Sequence, residues 1–178
     1  MPQMTSKPIN IYEEGELEKI AKIAETNDRM EDFFGQKRDG WNKNVLDITN
    51  DAKCKYTAEN AQTIVDLQAT ALAYRQNLND EISMFLQKRI KEKNKLKKAT
   101  HEKTVWYALG KSPLGLNYKM ISNAQMSNII DSHVSEVERG VELIDSHIDF
   151  LRTSAKILAD IGYQVKNTIE FYNLLTKN

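Results

Sequence analysis

The 178-residue chain is short of everything that staples, bends or anchors a fold. Its single cysteine, Cys54, excludes a disulfide framework and a cysteine metal site. In its polar Lys-Cys-Lys setting, Cys54 reads as a reactive thiol or as an incidental surface cysteine. Three prolines are present, Pro2, Pro8 and Pro113, and no glycine or proline lies between Gly40 and Gly110. After Gly115 only Gly140 and Gly162 remain. No run approaches the roughly twenty apolar residues needed to span a bilayer, and the N-terminus lacks the apolar segment of a secretory signal. A soluble intracellular protein is expected. Nucleotide-binding loop, nucleophile elbow and paired-carboxylate site are all missing, so neither an enzyme nor a cofactor is implied.

What is abundant is charge, and it is unevenly placed. The formal net charge is zero, yet Lys88 to Lys119 holds ten Lys or Arg against Glu92 and Glu102. This stretch runs into Trp106-Tyr107 and a Gly110-Lys111 turn. Cationic side chains attract a polyanion at long range, and aromatic faces hold bases by stacking. On a helical wheel the eight cations from Lys88 to Lys103 cover about 260 degrees, leaving Ile90, Asn94, His101 and Val105 in the gap. So polar a helix gains little from packing and is expected to project from the core or line a cavity. Trp106 and Tyr107 fit equally well as core anchors closing the end of a hairpin.

The segment Gly110-Lys-Ser-Pro-Leu-Gly-Leu-Asn is the one strong break in the last two-thirds of the chain. It separates two helical segments of about fifty residues, each able to reach roughly 75 Å. The fold class read from this is all-α, a long antiparallel helical hairpin with a C-terminal coiled coil. Ser122-Asn-Ala-Gln125 fits a capping box at the start of the second helix. Val134, Val137, Val141, Ile144, Ile148, Leu151, Ala155, Leu158, Gly162, Val165, Ile169 and Tyr172 then keep an unbroken three-four spacing. A second stripe of Leu143, Phe150, Ile157, Ile161, Phe171 and Leu175 lies beside it. Two apolar seams need two neighbours: the hairpin partner for one, another subunit for the other. Val141, Ile144, Ile148, Leu151, Leu158, Val165, Ile169 and Tyr172 are therefore the expected oligomerisation residues.

The first long helix is expected to start near Thr57, with Ile64, Leu67, Ala71, Tyr74, Leu78, Ile82 and Phe85 as its apolar stripe. Residues 1–56 read as a mildly acidic N-terminal arm with short helices, broken at a flexible junction by Gly35 and Gly40; residues 57–178 read as the DNA-binding and oligomerisation domain. His133 and His147 each sit in an Asp-Ser-His triplet, at Asp131 and Asp145. Residues two apart on a helix diverge, so no metal site is expected and the histidines are placed flanking the seam.

Two blocks then carry a resemblance. His101-Glu-Lys-Thr-Val-Trp-Tyr-Ala-Leu-Gly-Lys111 resembles the basic helix of UvsY-type phage recombination mediators, which ends in an aromatic pair, a small residue, Gly and often Lys. Ile148-Asp-Phe-Leu151 with Tyr163-Gln-Val-Lys-Asn-Thr-Ile-Glu-Phe171 is similar to that family's final helix. The resemblance covers roughly residues 57 to 178, with Trp106 where the family usually has tyrosine and Leu109 as an extra residue before the glycine. It implies a ring-like homo-oligomer that binds single-stranded DNA in the cytoplasm, the host's if the chain is phage-encoded. It also implies help in loading a RecA-type recombinase onto strands coated by single-strand binding protein. Lys103, Trp106, Tyr107 and Lys111 are the DNA contacts carried over. Lys95, Lys97 and Lys98 join them on electrostatic grounds. The rival reading is a coiled-coil structural or scaffold protein whose basic helix contacts acidic protein partners.

Overall fold

The computed structural model describes residues 11–53 and 61–176; Cys54 and the expected helix start at Thr57 lie outside the described residues. Three helices account for the described fold, with no strand among those residues: α1 Glu16–Asp51, α2 Ala61–Ala108 and α3 Asn123–Thr176. The chain divides into two compact units to which every helix contributes. Unit 1 holds described residues 11–29 and 91–142, and unit 2 holds 30–53, 61–90 and 143–176.

The helix ends follow local chemistry. Gly15 turns at φ 74°, and the Glu13 amide donates to Glu16 Oε2 while the Glu16 amide donates to the Glu13 carbonyl, both at 3.0 Å. Acidic Glu16 and Glu18 in the first turn suit the positive end of the helix dipole. At the far end of α2, Gly110 adopts φ 64° and donates to the Tyr107 carbonyl, while Lys111 donates to that of Trp106. This Schellman arrangement needs the left-handed backbone that glycine adopts without strain. The capping box of α3 is present: the Ser122 amide donates to Gln125 Oε1 (3.1 Å) and the Gln125 amide to Ser122 Oγ (3.3 Å).

Where short helices broken at Gly35 and Gly40 were expected, residues 16–51 form one helix. Each glycine costs about 1 kcal/mol inside a helix. That loss is outweighed by burying Phe34, Trp41, Val45 and Ile48 from the same helix, at about 1.5–3 kcal/mol for each large apolar side chain.

Those α1 residues also change the assignment of the α3 seam. In unit 2, Phe34 meets Phe85 of α2 edge-on at 5.3 Å and stacks on His147 of α3 at 4.1 Å. Trp41 meets Tyr74 at 5.8 Å. Within this unit α1 runs antiparallel to α2, and α2 antiparallel to α3, whose Asp145 pairs with Arg89. Ile144, Ile148, Leu151, Leu158 and Val165 form one core with Leu67, Ala71, Leu78 and Phe85, with Ile169 packed against it and Tyr172 half-buried. Val141 is buried in unit 1. The seam assigned to another subunit is thus buried inside the chain, because α1 supplies the second neighbour. What α3 leaves exposed is Ile157, Tyr163, Phe171, Leu174 and Leu175.

Candidate nucleic-acid interface

The Lys-rich stretch is neither detached nor uniformly solvated. From Lys91 to Ala108 it is part of α2, and in unit 1 it packs through Leu96, Ala99, Thr100, Lys103, Trp106 and Tyr107, all half-buried or buried. These positions recur every three or four residues, one helical face. The wheel gap pointed elsewhere: Ile90, Asn94, His101 and Val105 are all exposed. The inward face is defined by the aromatic pair and by small residues, and it takes a lysine with it.

That lysine is Lys103. Its side chain is only 18% exposed, its Nζ lies 2.7 Å from Glu16 Oε1 and 4.0 Å from Glu13, and it sits 4.4 Å from the centre of the Trp106 ring. Glu16 Oε1 also receives His133 Nδ1 at 2.7 Å, and His133 Nε2 lies 2.8 Å from the Tyr107 hydroxyl. The two bonds are satisfied together by a neutral imidazole that donates from Nδ1 and accepts at Nε2 from tyrosine. Burial pushes the His133 pKa down, against the raising effect of Glu16. Burial alone would raise Glu16, but hydrogen bonds from Lys103, the Glu13 amide and His133 outweigh it and hold the carboxyl below its ordinary value. Tyr107 is pushed up to about 12, first by burial and then by the nearby Glu16 charge. Tyr12 closes the group, edge-on to His133 at 4.8 Å.

The expected site residues therefore separate into two sets. Tyr107 is fully buried at the centre of a small core with Met126 and Ile130, and Trp106 is half-buried against the same cluster. Lys103 is held by Glu16. Lys95, Lys97, Lys98 and Lys111 are exposed, and Lys91 extends the row. Lys91, Lys95 and Lys98 fall at three-four spacing on one face, rising about 5 Å per step. Two carry acidic neighbours on their own helix, half-buried Glu92 at 2.8 Å from Lys95 and exposed Glu102 at 3.8 Å from Lys98. Surface pairs of this kind are weak and screened by salt, so they leave the cations available to a polyanion.

Glu16 and His133 are the residues that sequence reasoning missed as a working pair. The Asp-Ser-His repeat drew attention to His133 and His147, but both are buried rather than flanking. His147 lies among Phe34, Phe85 and Phe150, with neither ring nitrogen hydrogen-bonded, and burial first, then the Arg38 charge, lowers its pKa to about 4. Among the described residues no three His, Cys, Asp or Glu side chains converge as a metal site. No described helix is long and apolar enough to cross a membrane.

Comparison with known proteins gives a family match. The family model described as recombination, repair and ssDNA binding protein UvsY matches residues 68–176, more than half of the chain. The chain belongs to the UvsY family. The matched stretch takes in the exposed lysine row, the Trp106-Tyr107 pair, the turn and α3, whereas α1 lies outside it. No curated protein and no solved structure matches the chain. Membership places this UvsY-family protein among recombination, repair and single-stranded DNA-binding proteins.

Proposed function

We propose that this UvsY-family protein is a non-enzymatic recombination mediator that grips single-stranded DNA on the outward face of α2. One observation carries the reading: a row of exposed lysines on a helix whose other face is built into unit 1, within the stretch matched to the family. Lys95, Lys97, Lys98 and Lys111 take the phosphates, and Trp106 offers its free edge to a base. Lys103, Tyr107, Glu16 and His133 hold that helix in place. Self-association falls to the exposed α3 side chains Tyr163, Phe171, Leu174 and Leu175. Several weak sites in one assembly then act on a strand together, since linked sites raise each other's effective concentration. The assembly, a ring-like homo-oligomer in this reading, helps a RecA-type recombinase replace single-strand binding protein in the cytoplasm.

The test is fluorescence anisotropy of the full chain with labelled oligothymidine and with a duplex of equal length, alongside sedimentation with and without oligonucleotide. A preference for the single strand and an assembly of several subunits are expected. A lone subunit with no preference for the flexible strand overturns the reading in favour of a scaffold protein.

A further inference from the structure

Between Glu102 and Asp131 the chain contains no acidic residue at all, yet it holds Lys103, Lys111 and Lys119. The turn from α2 to α3 lies inside this stretch, and its two sides face different surroundings. Leu116 and Ile121 pack on the Tyr107–Met126–Ile130 cluster, and Ser112 is buried with its hydroxyl donating to the Leu116 carbonyl at 3.1 Å. Asn117 folds back beside Gly110, accepts from the Lys119 amide at 2.9 Å on its side-chain oxygen, and accepts from the Met120 amide on its carbonyl. The turn is therefore fixed from within. Its outward side shows Leu109, Lys111, Leu114, Tyr118, Lys119 and Met120, all exposed, with Tyr118 at 38%.

We propose that this turn is a further part of the single-strand interface, with Tyr118 as the base-stacking platform and Lys119 as a phosphate contact beside Lys111. The inference rests on the single-strand reading above and adds to it the aromatic face that buried Tyr107 does not offer. An exposed ring next to a lysine, with apolar Leu114 and Met120 in the same turn and no carboxylate among residues 103–130, is the composition that sequence-tolerant single-strand binding uses. The rigid inner side matters too, because a stacking platform that is already ordered loses little entropy when a base arrives.

The experiment uses the full chain and fluorescein-labelled oligothymidine at fixed low salt. Tyr118→Ala is expected to weaken binding about five- to a hundredfold, while Tyr118→Phe and Tyr118→Trp stay within about twofold because they keep a ring face. Lys119→Ala is expected to flatten the plot of log affinity against log salt by about 0.7. An oligonucleotide carrying 5-iododeoxyuridine should photocrosslink to Tyr118, as read by mass spectrometry. If Tyr118→Ala unfolds, Tyr118→Leu carries the same test with the apolar bulk retained. Wild-type affinity for both non-aromatic variants, or the absence of a Tyr118 adduct, overturns the inference. So does a fall in assembly mass, which would make the turn a subunit contact, or capture by phosphatidylserine vesicles with DNA binding unchanged. Should the wild-type chain itself ignore oligothymidine, the single-strand reading fails. Should Lys97→Ala/Lys98→Ala weaken binding while Tyr118→Ala does not, only the inference about the turn fails.

Discussion

Replacing Lys97 and Lys98 by alanine should change the salt dependence of DNA binding, not only its strength. Each cation neutralising a phosphate on a single strand contributes about −0.7 to the slope of log K against log salt, through counterion release. With Lys95, Lys97, Lys98 and Lys111 in contact, the slope is about −2.8 per protomer, and raising salt from 50 to 200 mM weakens binding about fiftyfold. Removing Lys97 and Lys98 takes the slope to about −1.4 and the same change of salt to about sevenfold. The difference of about 1.4 does not depend on how many other lysines take part. Lys103→Ala is the decisive control. Its ammonium already sits 2.7 Å from Glu16 with most of its surface covered, so removing it should leave the slope unchanged and lower thermal stability instead. The assay is anisotropy across a salt series, with circular dichroism melting of each variant. A Lys103→Ala slope that drops by about 0.7 at wild-type stability would refute the division between an outer, DNA-facing set and an inner, structural one.

Two further outcomes concern the cores. Because the folded-state pKa of His147 is depressed to about 4, the unfolded chain takes up the proton first. Stability is therefore lost as pH falls from about 6.5 towards 4, by roughly 3 kcal/mol over the window. His147→Phe should remove most of that slope in urea titrations at stepwise pH, and an unchanged slope would count against this origin. In unit 1, a Cβ at Gly140 would stand 2.9 Å from Asn27 Oδ1, whose buried side chain donates to the Glu136 carbonyl at 2.7 Å. Gly140→Ala should destabilise by about 1–3 kcal/mol. Gly35→Ala and Gly40→Ala meet nothing within 4 Å and should each stabilise by about 0.5–1 kcal/mol. Melting of the three variants checks both signs.

What the sequence made legible was local. The all-helical class, the turn at Gly110, the capping box at Ser122 and the apolar spacing of α3 all rest on residues within a few positions of one another. Helix α1 was hidden because its two glycines oppose it locally, while the contacts that stabilise it, Phe34 on Phe85 and His147, reach far along the chain. The group around Glu16 was hidden for the same reason, since its partners Lys103 and His133 are distant in sequence. Trp106 and Tyr107 show a different limit. Neighbours on a helix point about 100 degrees apart, so the two rings share one small core unequally: Tyr107 is fully buried and Trp106 half-buried, both beside His133. Which ring turns inward was decided by His133, whose nitrogen accepts the tyrosine hydroxyl.

The lysine-bearing part of α2 is already a formed helix with Leu96, Thr100 and Tyr107 seated in unit 1. A strand arriving there meets a finished track rather than a coil that must wind up around it. Association then carries no penalty for ordering this segment, its heat-capacity change stays small, and far-ultraviolet ellipticity remains flat through a titration. Under the proposed reading, affinity follows how many phosphates the track can neutralise at once, and subunit number, more than any single lysine, would tune how firmly a strand is held.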